Sequence, residues 1–172
     1  SALIAMGALK NGLTEEELPD IVSRWRQANR AIVRCWKAVE QAAIQAVETG
    51  RSCATHGLVF AREADIDSGL DFLTIRLPSG RKLYYAQPHF GVNQWGGKQL
   101  RYYGMNQMTK KWSEVETYGG HMTENIVQAI ARDCLAVNIE RLENAGFPVV
   151  FHIHDEVVID AGEDKADLDD VI

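Results

Sequence analysis

Between residues 149 and 160 the chain alternates and then turns. Val150, His152 and His154 fall on one face, Val149, Phe151 and Ile153 on the other, and β-branched Val157, Val158 and Ile159 follow. A period of two broken by Asp155-Glu156 reads as strand, tight turn, strand, with Asp155 at the tip. Gly146 and Pro148 lie just upstream, where they stop any preceding helix. The chain must therefore pass from a helix directly into a β-hairpin, and a mixed α+β fold is the expectation. A carboxylate at the tip of a buried hairpin costs several kcal/mol to desolvate, so a cation or a hydrogen-bond network belongs beside it. The plainer reading, that Asp155 and Glu156 are ordinary turn formers, stays open at this level.

A chain of 172 residues is long enough for one sizeable core, with 46% hydrophobic and 24% charged residues. It has no run of about 18 apolar residues to cross a membrane, and its start, Ser1-Ala2-Leu3-Ile4, lacks the basic region of a secretory signal. Cys35, Cys53 and Cys134 are odd in number and far apart, which argues against a disulfide framework and a zinc ribbon and points to a reduced cytosol. The net charge of −6 is the wrong sign for binding nucleic acid through the overall field, although a local basic stripe is compatible with it. Acid is concentrated in Glu163, Asp164, Asp167, Asp169 and Asp170, a segment expected to lie in solvent.

Thr14 and Glu17 have capping-box spacing, but Pro19 interrupts a helix begun there unless Pro19 itself opens it, so the first main helix is expected over 19–28. A second follows Asn29, with the stripe Ile32, Trp36, Val39, Ala43 and Val47, and Gly50 as its C-terminal cap. A strand is expected over 52–61. Residues 74–77 and 81–85 flank Pro78-Ser79-Gly80 and read as a hairpin. The glycine-rich stretch from Gln87 to Gly104 lacks periodicity and reads mostly as loop. Thr123 can cap a long helix with Glu124 in its first turn and Ile126, Val127, Ile130, Cys134, Leu135 and Leu142 along its stripe, able to back the sheet and fix the final hairpin.

Carboxylates suit hard cations such as Mg²⁺ or Mn²⁺. A two-metal phosphoryl-transfer site needs carboxylates from at least two chain segments. Asp155 marks one segment; Asp65, Asp67, Asp71 and Asp133 have no neighbouring strand that would aim them at it. An alternative uses His152 and His154 as i, i+2 ligands with Asp155 or Glu156, giving a His/carboxylate metallohydrolase or oxygenase. The familiar His-rich pattern of that class would require His where Val157 stands. Phosphate loops and nucleophile elbows are missing.

Thr117-Tyr118-Gly119-Gly120, then Glu124 through Asp133, then His152-Ile153-His154-Asp155-Glu156-Val157-Val158, resembles the C-terminal palm region of family A DNA polymerases, nearest to their phage and prophage branch. Arg76 through Arg81 and the opening Met6-Gly7-Ala8-Leu9 through Trp25 share that likeness, so it covers nearly the whole chain. The resemblance implies fingers-derived helices over 1–50 and a palm subdomain over 51–172 with a small antiparallel sheet, a catalytic-type hairpin and long helices behind it. It implies that Asp155 and Glu156 serve Mg²⁺ or Mn²⁺, with His154 near the primer terminus. Asn125 and Gln128 would touch the minor groove of a primer–template, with a deoxynucleoside triphosphate as co-substrate. A first carboxylate motif and a Lys/Tyr fingers helix do not occur, so the chain is expected to be a piece of a bacterial or phage polymerase, truncated at its C-terminus and inactive by itself. A noncatalytic palm-like module is the third reading.

Overall fold

The computed structural model describes residues 2–162 apart from 68 and 94. The acidic segment from Glu163 onward lies outside the described residues. A short α1 (Ala2–Ala5) and a 3₁₀ turn (Leu9–Asn11) lead to α2 (Leu18–Ala28) and α3 (Arg30–Thr49). The expectation for α2 holds in its details. Pro19 sits in the first helical turn, where its missing N–H costs nothing. The Thr14–Glu17 pair closes the turn before the helix instead, because the Glu17 carboxylate accepts from Thr14 N–H at 2.9 Å and from Thr14 Oγ1 at 3.0 Å. Asn29 ends α2 and begins α3, and its N–H and Nδ2 both donate to Trp25 O. Trp25 and Trp36 stack across this bend at 5.6 Å. Gly50 ends α3 with φ of +65°, a left-handed cap that favours glycine.

Six antiparallel strands follow in simple meander order: β1 (Cys53–Thr55), β2 (Leu58–Ala64), β3 (Asp71–Arg76), β4 (Lys82–Val92), β5 (Lys98–Met105) and β6 (Trp112–Thr117). The strand expected over 52–61 is really a hairpin. His56 and Gly57 both have positive φ (51° and 75°), the backbone that a two-residue hairpin loop requires. Register sorts the faces. The pairs Phe60↔Ile75, Ile75↔Leu83 and Leu73↔Tyr85 line the inner face, and Ala61↔Thr74 and Thr74↔Tyr84 the outer one.

The stretch 87–104, expected as loop, contains the end of β4 and nearly all of β5. Its punctuation misleads for a physical reason. Gln87 (φ +49°) and Pro88 lie at a bulge between Ala86 and His89, where a missing N–H is tolerated and pairing with β5 resumes. Gly91 leaves room for a neighbour; a Cβ there would lie 2.6 Å from Arg101 Nε. Both signals look like loop in one dimension and are strand features in three.

Helix α4 (Gly119–Asn144) begins before the expected Thr123, whose Oγ1 donates to Gly119 O at 2.7 Å inside the helix. Extended Tyr118 is the residue that precedes its first turn. Gly119 sets the approach of α4 to α3, because a Cβ there would lie 2.0 Å from the Trp36 carbonyl oxygen. Met122, Ile126 and Ala129 then join Val39, Ala43 and Val47 of α3 and the inner sheet face in one core. Each large apolar side chain so buried contributes about 1.5–3 kcal/mol. The β3–β4 turn is bonded to α4 as well. Asp133 accepts from Ser79 Oγ at 2.6 Å and from Arg81 Nε at 2.7 Å, while Arg81 Nη2 donates to Ala129 O at 2.8 Å.

After Gly146 and Pro148 the chain forms β7 (Val149–Ile153) and β8 (Glu156–Ile159), a separate two-stranded sheet. The fold is α+β as expected, but the hairpin is neither buried nor part of the main sheet, which is six strands wide. Val150, Phe151 and Ile153 are exposed. No helix among the described residues is long and apolar enough to cross a membrane.

Gly119→Ala should destabilise the chain by about 1–3 kcal/mol, read as a lower urea midpoint at unchanged slope, since the added methyl forces two backbones apart. The hydrogen bonds from Ser79 and Arg81 hold the Asp133 carboxyl below its ordinary value near 3.8. A lowered folded-state pKa stabilises fully above that ordinary value and the contribution disappears as pH falls through the lowered one. Asp133→Asn should therefore flatten the acid limb of the stability profile below about pH 4, measured by urea unfolding at several pH values.

Candidate active site

The hairpin turn is His154-Asp155, set by the last ladder pair Ile153↔Glu156. His154 takes φ of +54°, a left-handed conformation uncommon for a side-chain-bearing residue. Two contacts hold the hairpin beside α4. Arg132 Nη1 lies 3.3 Å from His152 Nε2, with the arginine as donor, and Val149 N–H donates to Glu143 Oε1 at 2.6 Å. Between the hairpin tip and α4 lies a recess of ≈ 410 Å³ lined by Gln128, Ala131, Arg132, Leu135, His154 and Asp155.

Three of the expected site residues thus share one opening: His154, Asp155 and Gln128. Glu156 and Asn125 do not line it. Glu156 belongs to β8, opposite Ile153. Asn125 faces inward, and its Nδ2 donates to Tyr85 Oη at 3.1 Å. Burial pushes the Tyr85 hydroxyl up to about 12 against the opposing effect of that hydrogen bond. Asn125 therefore ties α4 to the sheet, where a groove contact had been expected.

The idea of a desolvated tip acid is overturned, because the tip is exposed and no desolvation has to be offset. The paired-histidine ligand set also loses its basis. His152 stays in the ladder opposite Val157, whereas His154 leaves the strand into the turn, so they do not form an i, i+2 pair on one strand face. Among the described residues no three His, Cys, Asp or Glu side chains gather to hold a metal ion. Among the described residues Asp155 and the Gln128 amide are the side-chain oxygen donors at the recess, and no second carboxylate of theirs lines it. That donor set does not fit a two-cation cradle, which needs carboxylates from two segments.

Arg132 is not among the site residues expected from the sequence. The signal was present: Gln128 and Arg132 are four apart on α4 and so share a helix face.

No family model matches the chain, and no solved structure matches it. A DNA polymerase of Bacillus phage SP02 is 47% identical over 171 residues, covering 99% of this chain. The chain spans about a quarter, 26%, of that relative's length.

Asn125→Ala should cost about 1 kcal/mol by leaving the buried Tyr85 hydroxyl unpaired, whereas exposed Gln128→Ala should stay within about 0.5 kcal/mol of the parent. Chemical denaturation of the two variants side by side checks this contrast.

Proposed function

We propose that this chain is a part of a template-directed DNA polymerase of the family A type, carrying its C-terminal palm hairpin. Residues 1–50 would be the fingers-derived helices and the remainder the palm. The supporting observation is that Asp155, at a left-handed turn, opens into the same recess as Gln128 of α4, in a chain 47% identical almost throughout to a phage DNA polymerase.

In this reading the partners are a DNA primer–template and a deoxynucleoside triphosphate, met in the bacterial cytoplasm, and the reaction is nucleotidyl transfer to a primer 3′-hydroxyl. Bound Mg²⁺ or Mn²⁺ would supply charge neutralisation at the transferring phosphate. Asp155 would supply one segment's carboxylate for it, with Glu156 next to it on β8 outside the recess, and the second segment would come from elsewhere in a longer polymerase. The chain's own residues do the positioning. Gln128 offers a donor and an acceptor to groove edges and sugars. His154 stands at the rim where a primer terminus would lie. Arg132 and Glu143 hold the hairpin against α4, so that the Asp155 carboxylate keeps its place relative to Gln128. A 1 Å displacement of such a group costs rate even when binding survives.

With one carboxylate segment the isolated chain should not extend a primer. In a chimera in which this chain replaces the matching quarter of the phage SP02 polymerase, Asp155→Ala should lower incorporation by about a thousandfold or more and leave the melting temperature unchanged. Extension by the isolated chain that vanishes in Asp155→Ala would refute the half-site reading, and a chimera indifferent to Asp155→Ala would refute the polymerase reading.

A further inference from the structure

Among the described residues no helix lies over the outer face of the six-stranded sheet. Its inner face is filled by α3 and α4, and the outer one carries a row of large side chains standing in solvent. Tyr84 of β4 is 60% exposed, Met105 of β5 53% and Trp112 of β6 64%. Register aligns them. Met105 pairs directly with Trp112, and Tyr84 lies two residues before Ala86, the partner of Tyr103, as Met105 lies two residues after it. The three therefore occupy adjacent strands at one level of one face.

Cations rim this row. Arg76 stands opposite Lys82 on the same face, and Lys110 and Lys111 form the far side of the β5–β6 turn. That turn is built, because Asn106 Oδ1 accepts from Met108 N–H at 2.9 Å and Thr109 N–H at 3.0 Å, with Lys110 at φ of +55°. Elsewhere on the face Glu63 is paired with Lys82, Glu116 with Arg101, and Glu114 with both Arg101 and His89. Among the described residues none of Arg76, Lys110 and Lys111 is in an ion pair. In a protein of net charge −6, a patch of exposed rings with uncompensated cations is complementary to a polyanion that presents flat unpaired bases.

We infer that the outer sheet face, through Tyr84, Met105 and Trp112 with Arg76, Lys110 and Lys111, binds a single-stranded stretch of nucleic acid. Bases stack on the rings, and phosphates lie along the cationic rim. A duplex keeps its bases stacked inside and cannot use the rings, so the face discriminates strandedness more than sequence. This deepens the polymerase reading by giving that protein a surface for an unpaired strand away from Asp155.

The test uses the purified chain with fluorescein-labelled oligothymidylate and a duplex of equal length. Oligothymidylate should bind more tightly than duplex and quench tryptophan emission. Trp112→Ala and Tyr84→Ala should each weaken binding by about tenfold or more. Lys110→Gln with Lys111→Gln should reduce the slope of log affinity against log salt by about 0.7 per lysine. These side chains are exposed, and circular dichroism verifies that each variant folds. Equal affinity for duplex, or unchanged affinity and salt slope in the variants, would overturn the inference, as would self-association through this face that oligothymidylate does not compete. The two readings fail separately. A polymerase dependent on Asp155 whose outer face ignores oligothymidylate loses only this inference, and oligothymidylate binding survives if the polymerase reading falls.

Discussion

Helix α4 can lie on α3 because residue 119 has no side chain. With a Cβ the contact would bring carbon within 2.0 Å of the Trp36 carbonyl oxygen, so the two helices meet backbone to backbone. Everything beyond depends on that closeness. It seats Met122, Ile126 and Ala129 in the core over the inner sheet face, and it fixes the line along which the same helix runs on to Gln128 and Arg132. The Arg81–Asp133 pair secures that line at a second point, from the turn between β3 and β4. One helix is thereby bonded to the sheet along part of its length and to the hairpin along the rest.

The hairpin depends on this arrangement and adds little to it. It has its own two-strand ladder, exposed apolar residues and two polar contacts to α4. Such an element opens at lower free energy than the core and moves with whatever packs against it. Its turn is nevertheless specific. His154 in the left-handed region stores backbone strain of order 1–3 kcal/mol, a feature that concentrates at functional sites.

Helical periodicity and capping chemistry made the helices legible. Pro19 and Gly50 marked boundaries correctly because each acts through local backbone geometry that no tertiary contact overrides here. Alternation likewise located β7 and β8 and the Asp155 turn. The middle sheet was less legible, since its glycines answer to neighbours distant in sequence: Gly91 makes space for Arg101, and no pattern around residue 91 encodes that. For the site, His154, Asp155 and Gln128 were named from resemblance and share a recess. The hydrogen bond of Asn125 to Tyr85 has no signature in the sequence, because the two lie 40 residues apart and only the folded chain brings them together. Helical spacing places Arg132 on the face of Gln128, but its contact with His152 spans 20 residues and comes only from the fold.

The bulge at Gln87–Pro88 has an effect on sidedness. Ala86 and His89 lie three apart on β4 while their partners Tyr103 and Arg101 lie two apart on β5, so the strand carries one residue more than its neighbour. By absorbing that surplus the bulge keeps Phe90 on the side of α3, beneath the Lys98 ammonium at 3.9 Å. Strand length therefore governs orientation here. Removing one residue at the bulge would leave both halves of β4 facing as they do, whereas removing one anywhere else in the strand would turn one half inside out.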